Sequence, residues 1–209
     1  MRPNSFNINY TDFTNNPYPI FAELRNSAPI SFVPELDAIL LTKHSDIFTC
    51  EKNISVFSSV QPDGLMTKLM GQNMMRKDGQ DHKAERRTIF PTVSPKTTHK
   101  VWKQKFIDHT KSILDRLSDQ DLIDVVNEFA KPVSAQALKS VTGLTNLTWQ
   151  EMDRVSQGMI DGCANYIRDP IVEKNCYDCT RSIDNHIQQR MEQDLGSDPS
   201  LLSVFASVN

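Results

Sequence analysis

The sequence predicts a mainly α-helical protein with one small antiparallel β element. Apolar residues recur at helical spacing in six or seven segments, whereas a single pair of short apolar runs flanks a turn as in a hairpin. The 209 residues include only seven glycines and contain no repeat and no Gly/Ser-rich linker. A continuously folded chain of the mainly α class is therefore expected.

The first four elements follow from local signals. Asn16 is the predicted N-cap of a short amphipathic helix that runs to Arg25, with a proline in its first turn. The runs 30–33 and 38–42 are the predicted strands of the hairpin, since a Pro- and Asp-containing turn joins them. Ser45-Asp46 is expected to cap a helix that continues to residue 51.

The segment 55–77 loses helical and strand periodicity although it is rich in Met and Leu. Long loops of this kind are often functional. Asp78 is the predicted N-cap of the next helix, which begins at Gly79 and is expected to falter at Pro91.

Helical spacing returns in the rest of the chain, apart from a strand-like turn expected at 121–125. The predicted segments are a helix from Ser94-Pro95 to Leu117, one ending at Gly143, one capped by Thr148, one over Cys176–Asp194, and a short one within Pro199–Phe205.

Composition excludes several classes of protein. The 23 Lys and Arg residues against 26 Asp and Glu give a net charge of −3, which argues against a general nucleic-acid binder. No apolar run approaches the roughly 18 residues that cross a bilayer. The start of the chain, Met1–Ser5, leads into polar residues and not into the apolar core of a secretory signal, so a cytoplasmic location is expected.

His82 and Arg86 are the most informative pair in the sequence. Four residues apart on a helix, they share one face, and an imidazole with a guanidinium one turn away forms a two-pronged donor site for a carboxylate. The alternative is that Arg86 pairs with a carboxylate of the protein and that His82 is a half-buried packing residue. Spacing alone leaves both interpretations open.

The sequence resembles the N-terminal half of soluble bacterial cytochromes P-450. The resemblance lies in Asn16–Arg25 with Ala28–Ile30, in Arg76–His82, in Arg86-Arg87 with Phe90 and Ser94-Pro95, and in Val141–Leu144, in matching order and at matching intervals. It implies a P-450-type fold in which residues 1–209 are the N-terminal portion of a single domain and the C-terminal half is missing.

The resemblance also implies site residues. His82 and Arg86 would hydrogen-bond a propionate of haem b, and Lys83 with Arg87 would face an electron donor. The family's substrate pocket would include four flexible apolar side chains, Leu65, Leu69, Met70 and Met74. The run 148–194 would correspond to the family's mobile lid.

The family's cysteine ligand to iron lies in a Phe- and Gly-rich loop that this sequence lacks. We therefore expect no catalytic residue and no metal ligand in this chain, and no activity from it alone. The full-length enzyme would insert one oxygen atom from dioxygen into a small apolar or aromatic substrate, without a membrane or a nucleic-acid partner. A ferredoxin or a flavin reductase would supply its electrons.

Two other interpretations come from different classes of protein. The chain could be a complete, non-catalytic helical binding module without an iron site. Cys176 and Cys179 have the two-residue gap of zinc ribbons and redox motifs, but further ligands at suitable spacing and a preceding strand are missing from the sequence. Reduced helix thiols, either buried or half-exposed, are the favoured interpretation of this pair.

Overall fold

The computed structural model describes residues 3–207. The described residues exclude 1, 2, 208 and 209. These four include part of the segment considered as a secretory signal and the end of the predicted domain. The chain forms two compact units, one ending at Val60 and the other beginning at Gln61. The mainly α class with a two-stranded antiparallel sheet is confirmed.

The described part of the first unit contains three α-helices, a 3₁₀ turn at Pro34–Leu36 and the hairpin. Its elements are α1 Tyr10–Asn15, α2 Tyr18–Ser27, β1 Ile30–Val33, β2 Ala38–Leu41 and α3 His44–Cys50. The strands form the antiparallel hairpin that the sequence predicts, with Ile30 opposite Leu41, and Asp37 closes the turn with a φ of 46°. Leu24 and Val33 are fully buried.

Two predicted caps of the first unit are displaced. Pro17, not Asn16, occupies the N-cap position of α2, although the Asn16 side chain still accepts a bond from the Tyr18 N–H at 3.4 Å. Helix α3 begins at His44, so Asp46 lies inside its first turn, where a carboxylate favours the helix dipole without serving as the cap.

The second unit contains helices and connecting loops, and no strand, in its described part. Its helices are α4 Leu65–Met70, α5 Gly79–Val93, α6 Pro95–Thr97, α7 Lys103–Leu117, α8 Lys131–Thr142, α9 Trp149–Cys163, α10 Pro170–Met191 and α11 Leu201–Ala206. A 3₁₀ turn spans Met74–Arg76, and π turns span Thr98–Trp102 and Val125–Ala130. Short helices such as α4 and α6 raise the number above the six or seven predicted.

Three helix ends in the second unit confirm local signals. The Ser94 hydroxyl accepts the Thr97 N–H at 3.1 Å, and the Thr148 hydroxyl accepts the Glu151 N–H at 3.1 Å. Gly143 ends α8 with a φ of 85°, a conformation that glycine adopts without strain.

Three other predictions in the second unit are wrong. Helix α5 continues past Pro91 and ends at Val93. Pro91 lacks an N–H and so removes only one hydrogen bond of the helix, and its carbonyl accepts the Thr97 hydroxyl at 2.6 Å. No strand forms at 121–125 in the described chain, since Asp124 caps the following π turn. Helix α10 begins at Pro170, six residues early, with Asp169 as its N-cap.

The core of the second unit joins α8, α9, α10 and α11. Its buried residues are Ala135, Leu144, Leu147, Met152 and Leu202, with Trp149, Ile183, Ile187 and Leu195 packed against them. Ile183 and Ile187 of α10 thus face the core at a spacing of four residues, whereas Met191, four residues further on, is 41% exposed. No helix in the described chain is long and apolar enough to cross a membrane.

Candidate functional site

Helix α5 presents His82 and Arg86 on one face. Gly79 begins the helix with a φ of 56°, which a residue with a Cβ adopts only under strain. Asp78 lies at the N-cap position as predicted, but its side chain makes no capping bond to the helix. His82 is half-buried and Arg86 is exposed, and the helix is regular between them.

The carboxylate closest to Arg86 in sequence is already engaged. Glu85 forms an ion pair with Lys77, which ties the turn before α5 to the helix. Within residues 3–207, no hydrogen bond or ion pair occupies the Arg86 guanidinium or the His82 ring. The alternative in which Arg86 pairs with a carboxylate of the protein is therefore not realised in this part of the chain.

The C-terminal end of α5 is fixed by a buried tryptophan. Trp102 is 2% exposed, and its indole N–H donates to the Thr92 carbonyl at 2.8 Å. Helix α11 also packs against α5. The two donors His82 and Arg86 thus stand on a helix whose position is set by packing, which lowers the entropy lost when a ligand is held.

Lys83 and Arg87 lie exposed on α5. No ion pair engages either cation among the residues that the structure describes. This exposed pair is available to an acidic surface of another protein.

The predicted substrate-pocket residues lie in or beside a short helix, where the sequence predicts an irregular segment. Leu65, Leu69 and Met70 belong to α4, and Met74 belongs to the following 3₁₀ turn; all four are half-buried. Leu69 and Met70 line an open groove of about 470 Å³ against α10, and Leu65 and Met74 are not among its lining residues. The assignment of these four residues to a substrate pocket stays a prediction.

Helices α9 and α10 approach closely through two glycines and two cysteines. A Cβ placed on Gly162 would lie 2.4 Å from the Cys176 sulfur, and one placed on Gly158 would lie 2.5 Å from the Cys179 sulfur. Both thiols are fully buried and free, and burial raises the pKa of Cys176. The Cys-x-x-Cys spacing therefore serves helix packing here.

No group of three His, Cys, Asp or Glu residues within the described range is arranged to hold a metal ion.

A charged cluster also connects α9 and α10. Arg154 binds Glu151 through Nε at 2.8 Å and Nη2 at 2.7 Å, and the Ser182 hydroxyl donates to the same carboxylate at 2.7 Å. The hydrogen bonds from Arg154 hold the pKa of Glu151 at about 2, against burial, which acts in the other direction. Arg154 Nη1 reaches the Cys179 sulfur at 3.4 Å, so all three guanidinium nitrogens of Arg154 have a partner within the α9–α10 contact.

Two polar atoms in the segment 65–76 were not identified from the sequence as site atoms. Thr67 Oγ1 and Arg76 Nε are both buried and lack a hydrogen-bond partner in the described part of the chain. The two other buried polar atoms of this kind, Thr92 Oγ1 and Asn146 Oδ1, are neutral and lie in separate elements. An arginine at the end of a Met- and Leu-rich run is the only sequence signal that could have indicated this site.

Comparison with known proteins identifies relatives of one kind. The chain is 24% identical over 161 residues to cytochrome P-450 130 of Mycobacterium tuberculosis, covering 69% of this chain and 38% of the relative. It is 19% identical over 209 residues to pulcherriminic acid synthase of Bacillus subtilis, covering 97% of this chain and 50% of the relative. No family model matches the chain.

Solved structures give the same result for the fold. CYP109E1 from Bacillus megaterium in complex with testosterone matches with a TM-score of 0.75 at 17% identity, covering 92% of this chain and 50% of that one. Cytochrome P-450 260B1 of Sorangium cellulosum matches with a TM-score of 0.72 at 16% identity, covering 99% and 54%. The predicted resemblance to bacterial cytochromes P-450 is confirmed, and the chain spans about half the length of these proteins.

Proposed function

We propose that this chain, which has the cytochrome P-450 fold over about half the length of its relatives, is the N-terminal portion of a single-domain haem-dependent monooxygenase. In this proposal His82 and Arg86 bind a haem propionate. The observation that carries it is the unoccupied donor pair on α5: a half-buried imidazole and an exposed guanidinium without a carboxylate partner in the described chain. Such donors match a carboxylate in charge and geometry.

The residues of this chain would bind and orient the haem but would not ligate its iron. All four cysteines lie in helices: Cys50 ends α3, Cys163 ends α9, and the other two are buried between α9 and α10. The axial cysteine is therefore proposed to come from the part of the relatives' length that this chain does not span. Bound haem b with that thiolate supplies the activation of dioxygen.

The substrate is proposed to be a small apolar or aromatic molecule. Leu69 and Met70 support this proposal, since they are half-buried on one side of a groove whose α10 side carries Tyr177, Thr180, Arg181, Asp184 and Asn185. A relative of the same fold binds testosterone, an apolar polycyclic molecule. Leu65, Leu69, Met70 and Met74 are proposed as part of the pocket, where flexible side chains adapt to a ligand's shape.

The exposed cations Lys83 and Arg87 are proposed to contact the electron donor, a ferredoxin or a flavin reductase. An acidic partner surface would be attracted to this side of α5 at low ionic strength. The cytoplasmic location inferred from the sequence stays a prediction.

Haemin binding tests the propionate assignment. We expect the 209-residue chain to bind haemin, as measured by absorbance titration, and we expect His82→Ala and Arg86→Gln each to weaken binding. Each variant removes one bond to a carboxylate, worth about 1–3 kcal/mol, so the dissociation constant should rise by about 5- to 100-fold. Arg116→Gln, at an exposed arginine of α7, is the matched control and should leave it unchanged.

Two results would contradict the proposal. Equal affinity of all four proteins for haemin would remove the role of the α5 pair. A thiolate-type Soret band from this chain, reduced under carbon monoxide, would place the iron ligand among its own cysteines. A spectrum without that band agrees with an axial ligand outside this chain, and circular dichroism confirms that each variant folds.

A further inference from the structure

Arg76 carries a buried donor without an acceptor. Its Nε is sealed from solvent and has no hydrogen-bond partner in the part of the chain that the structure describes. The neighbouring cations are engaged, since Lys77 pairs with Glu85, and Lys68 lies 3.6 Å from Asp63. A donor that loses water without gaining an acceptor destabilises the fold, so the unpartnered Nε of Arg76 indicates a missing acceptor, and the positive charge of its guanidinium favours an anion.

The surroundings of Arg76 combine apolar side chains with a helix end. Burial raises the pKa of the Cys163 thiol, and the positive charge of Arg76 acts in the opposite direction, which places the guanidinium near the C-terminal end of α9. Leu69 Cδ1 reaches the same end, 3.2 Å from the position of a Cβ on Gly162. Arg76 and the apolar side chain of Leu69 thus both lie near the C-terminal end of α9.

A second unpartnered polar atom lies in the same segment. The Thr67 hydroxyl on α4 is buried and has no partner in the described residues. Thr67 lies in the first turn of α4, where the carbonyl four residues earlier precedes the helix, so it lacks the bond that six other helical threonines make. Arg76 is a charged donor at the end of a Met- and Leu-rich segment, and it matches a ligand with an acidic end and an apolar body.

We propose that Arg76 binds the carboxylate of an apolar ligand. As a statement about the substrate, this inference rests on the proposed function, and it narrows the substrate class to apolar acids. A carboxylate can also come from a propionate of the haem. The chemistry of recognition is the same for both sources, whereas their apolar parts differ, so binding experiments separate them.

Calorimetric titration of the 209-residue chain with dodecanoate and with dodecan-1-ol tests the substrate as the source. The carboxylate should bind about 10-fold more tightly than the alcohol, because only the acid pairs with the guanidinium. Arg76→Met should abolish this preference and leave alcohol binding unchanged, and Arg76→Lys should retain part of it. Arg116→Met, on the exposed face of α7, is the matched control and should keep the full preference.

Titration with haemin and with its dimethyl ester tests the propionate as the source. If a propionate is the ligand, Arg76→Met weakens haemin binding by about 10-fold and leaves binding of the ester unchanged. A change in either pair, acid against alcohol or haemin against ester, supports the proposal and identifies the source. Loss of neither preference in the folded Arg76→Met protein overturns it. The result is independent of His82 and Arg86, whose variants report on the proposed function.

Discussion

The arginines of the α9–α10 region and those near α4 and α5 differ in their partners. Arg190 is 9% exposed, and its guanidinium donates to Thr145 Oγ1 at 3.0 Å and to the Asp194 carbonyl at 2.8 Å. Arg154 binds Glu151 through two parallel bonds. Arg76 and Arg86 have no such acceptors in the described chain, although Arg76 Nε is buried.

This difference supports the proposed division into structural and ligand-binding positions. Buried donors in folded proteins are nearly always satisfied, and the α9–α10 region follows that rule with acceptors from its own chain. The segment from α4 to α5 departs from it at Arg76, and it presents two further free donors at His82 and Arg86. The first region supplies acceptors from its own chain, whereas the second is proposed to bind an anion that another molecule supplies.

Thiol labelling tests whether the α9–α10 contact is closed, and it has the largest expected effect. Cys176 and Cys179 are fully buried, whereas Cys50 is half-exposed. At pH 8 we expect iodoacetamide to modify the two buried thiols about 1,000-fold more slowly than Cys50, because they react only when the helices open. The raised pKa of Cys176 slows its reaction further.

Cys163 lies where the two regions meet and should react at an intermediate rate, since it is half-buried and burial raises its pKa. Peptide mass spectrometry of timed samples gives all four rates in one experiment. Labelling of Cys176 and Cys179 as fast as that of Cys50 would show that the helix contact opens readily, and the contrast between the two regions would then be lost.

A methyl group added at Gly162 disrupts the same α9–α10 contact from the side of α9. The new Cβ would lie 2.4 Å from the Cys176 sulfur and 2.5 Å from its Cβ, so Gly162→Ala forces α9 and α10 apart. We expect it to lower the free energy of unfolding by about 2–3 kcal/mol, measured by urea denaturation. Cys176→Ala should not rescue it, because the clashing Cβ remains.

Gly158 is the matched control, because we expect its alanine variant to be rescued by removal of the facing sulfur, unlike that of Gly162. A Cβ there would meet the Cys179 sulfur at 2.5 Å and the flexible end of Asn175 at 2.8 Å, whereas the Cys179 Cβ lies at an ordinary 3.5 Å. Gly158→Ala should therefore be largely rescued by Cys179→Ala in a double-mutant cycle. Equal behaviour of the two glycine sites would contradict the contact as described.

Local signals were sufficient to predict much of the fold. Ser94, Thr148 and Gly143 act through atoms within three or four residues of themselves, so the helix ends that they set could be predicted. The Gly162–Cys176 contact could not, because it depends on how two helices approach each other. The early start of α10 follows from Asp169-Pro170, an N-cap and a proline in the first turn, which is also a local signal.

The candidate site also has features that could be predicted from the sequence and features that could not. The spacing of His82 and Arg86 on one helix face could be predicted from the sequence, since it needs only a regular helix. Whether Arg86 has a carboxylate partner could not be predicted, because the Lys77–Glu85 pair forms across the turn before α5. The role of Arg76 was also hidden, because an unpartnered donor is recognised only when burial is known.

The smallest expected effect tests whether the charges of the α9–α10 region stabilise it. The pKa of Glu151 is lowered from 4.5 to about 2, chiefly by its bonds to Arg154, so the folded state favours the carboxylate. This contribution is fully present above pH 4.5 and is lost as the pH falls to about 2. Glu151→Gln should therefore cost about 1–2 kcal/mol at pH 7, measured by urea denaturation, and almost nothing at pH 2.

Glu192→Gln is the control for the change in net charge. Glu192 is exposed at the end of α10 and has no ion pair within residues 3–207, so its replacement should change stability by no more than about 0.5 kcal/mol at either pH. A loss in Glu151→Gln that is equal at pH 7 and pH 2 would assign its effect to packing. A loss confined to pH 7 means that Arg154 is stabilised by an acceptor of its own chain, the acceptor that Arg76 lacks.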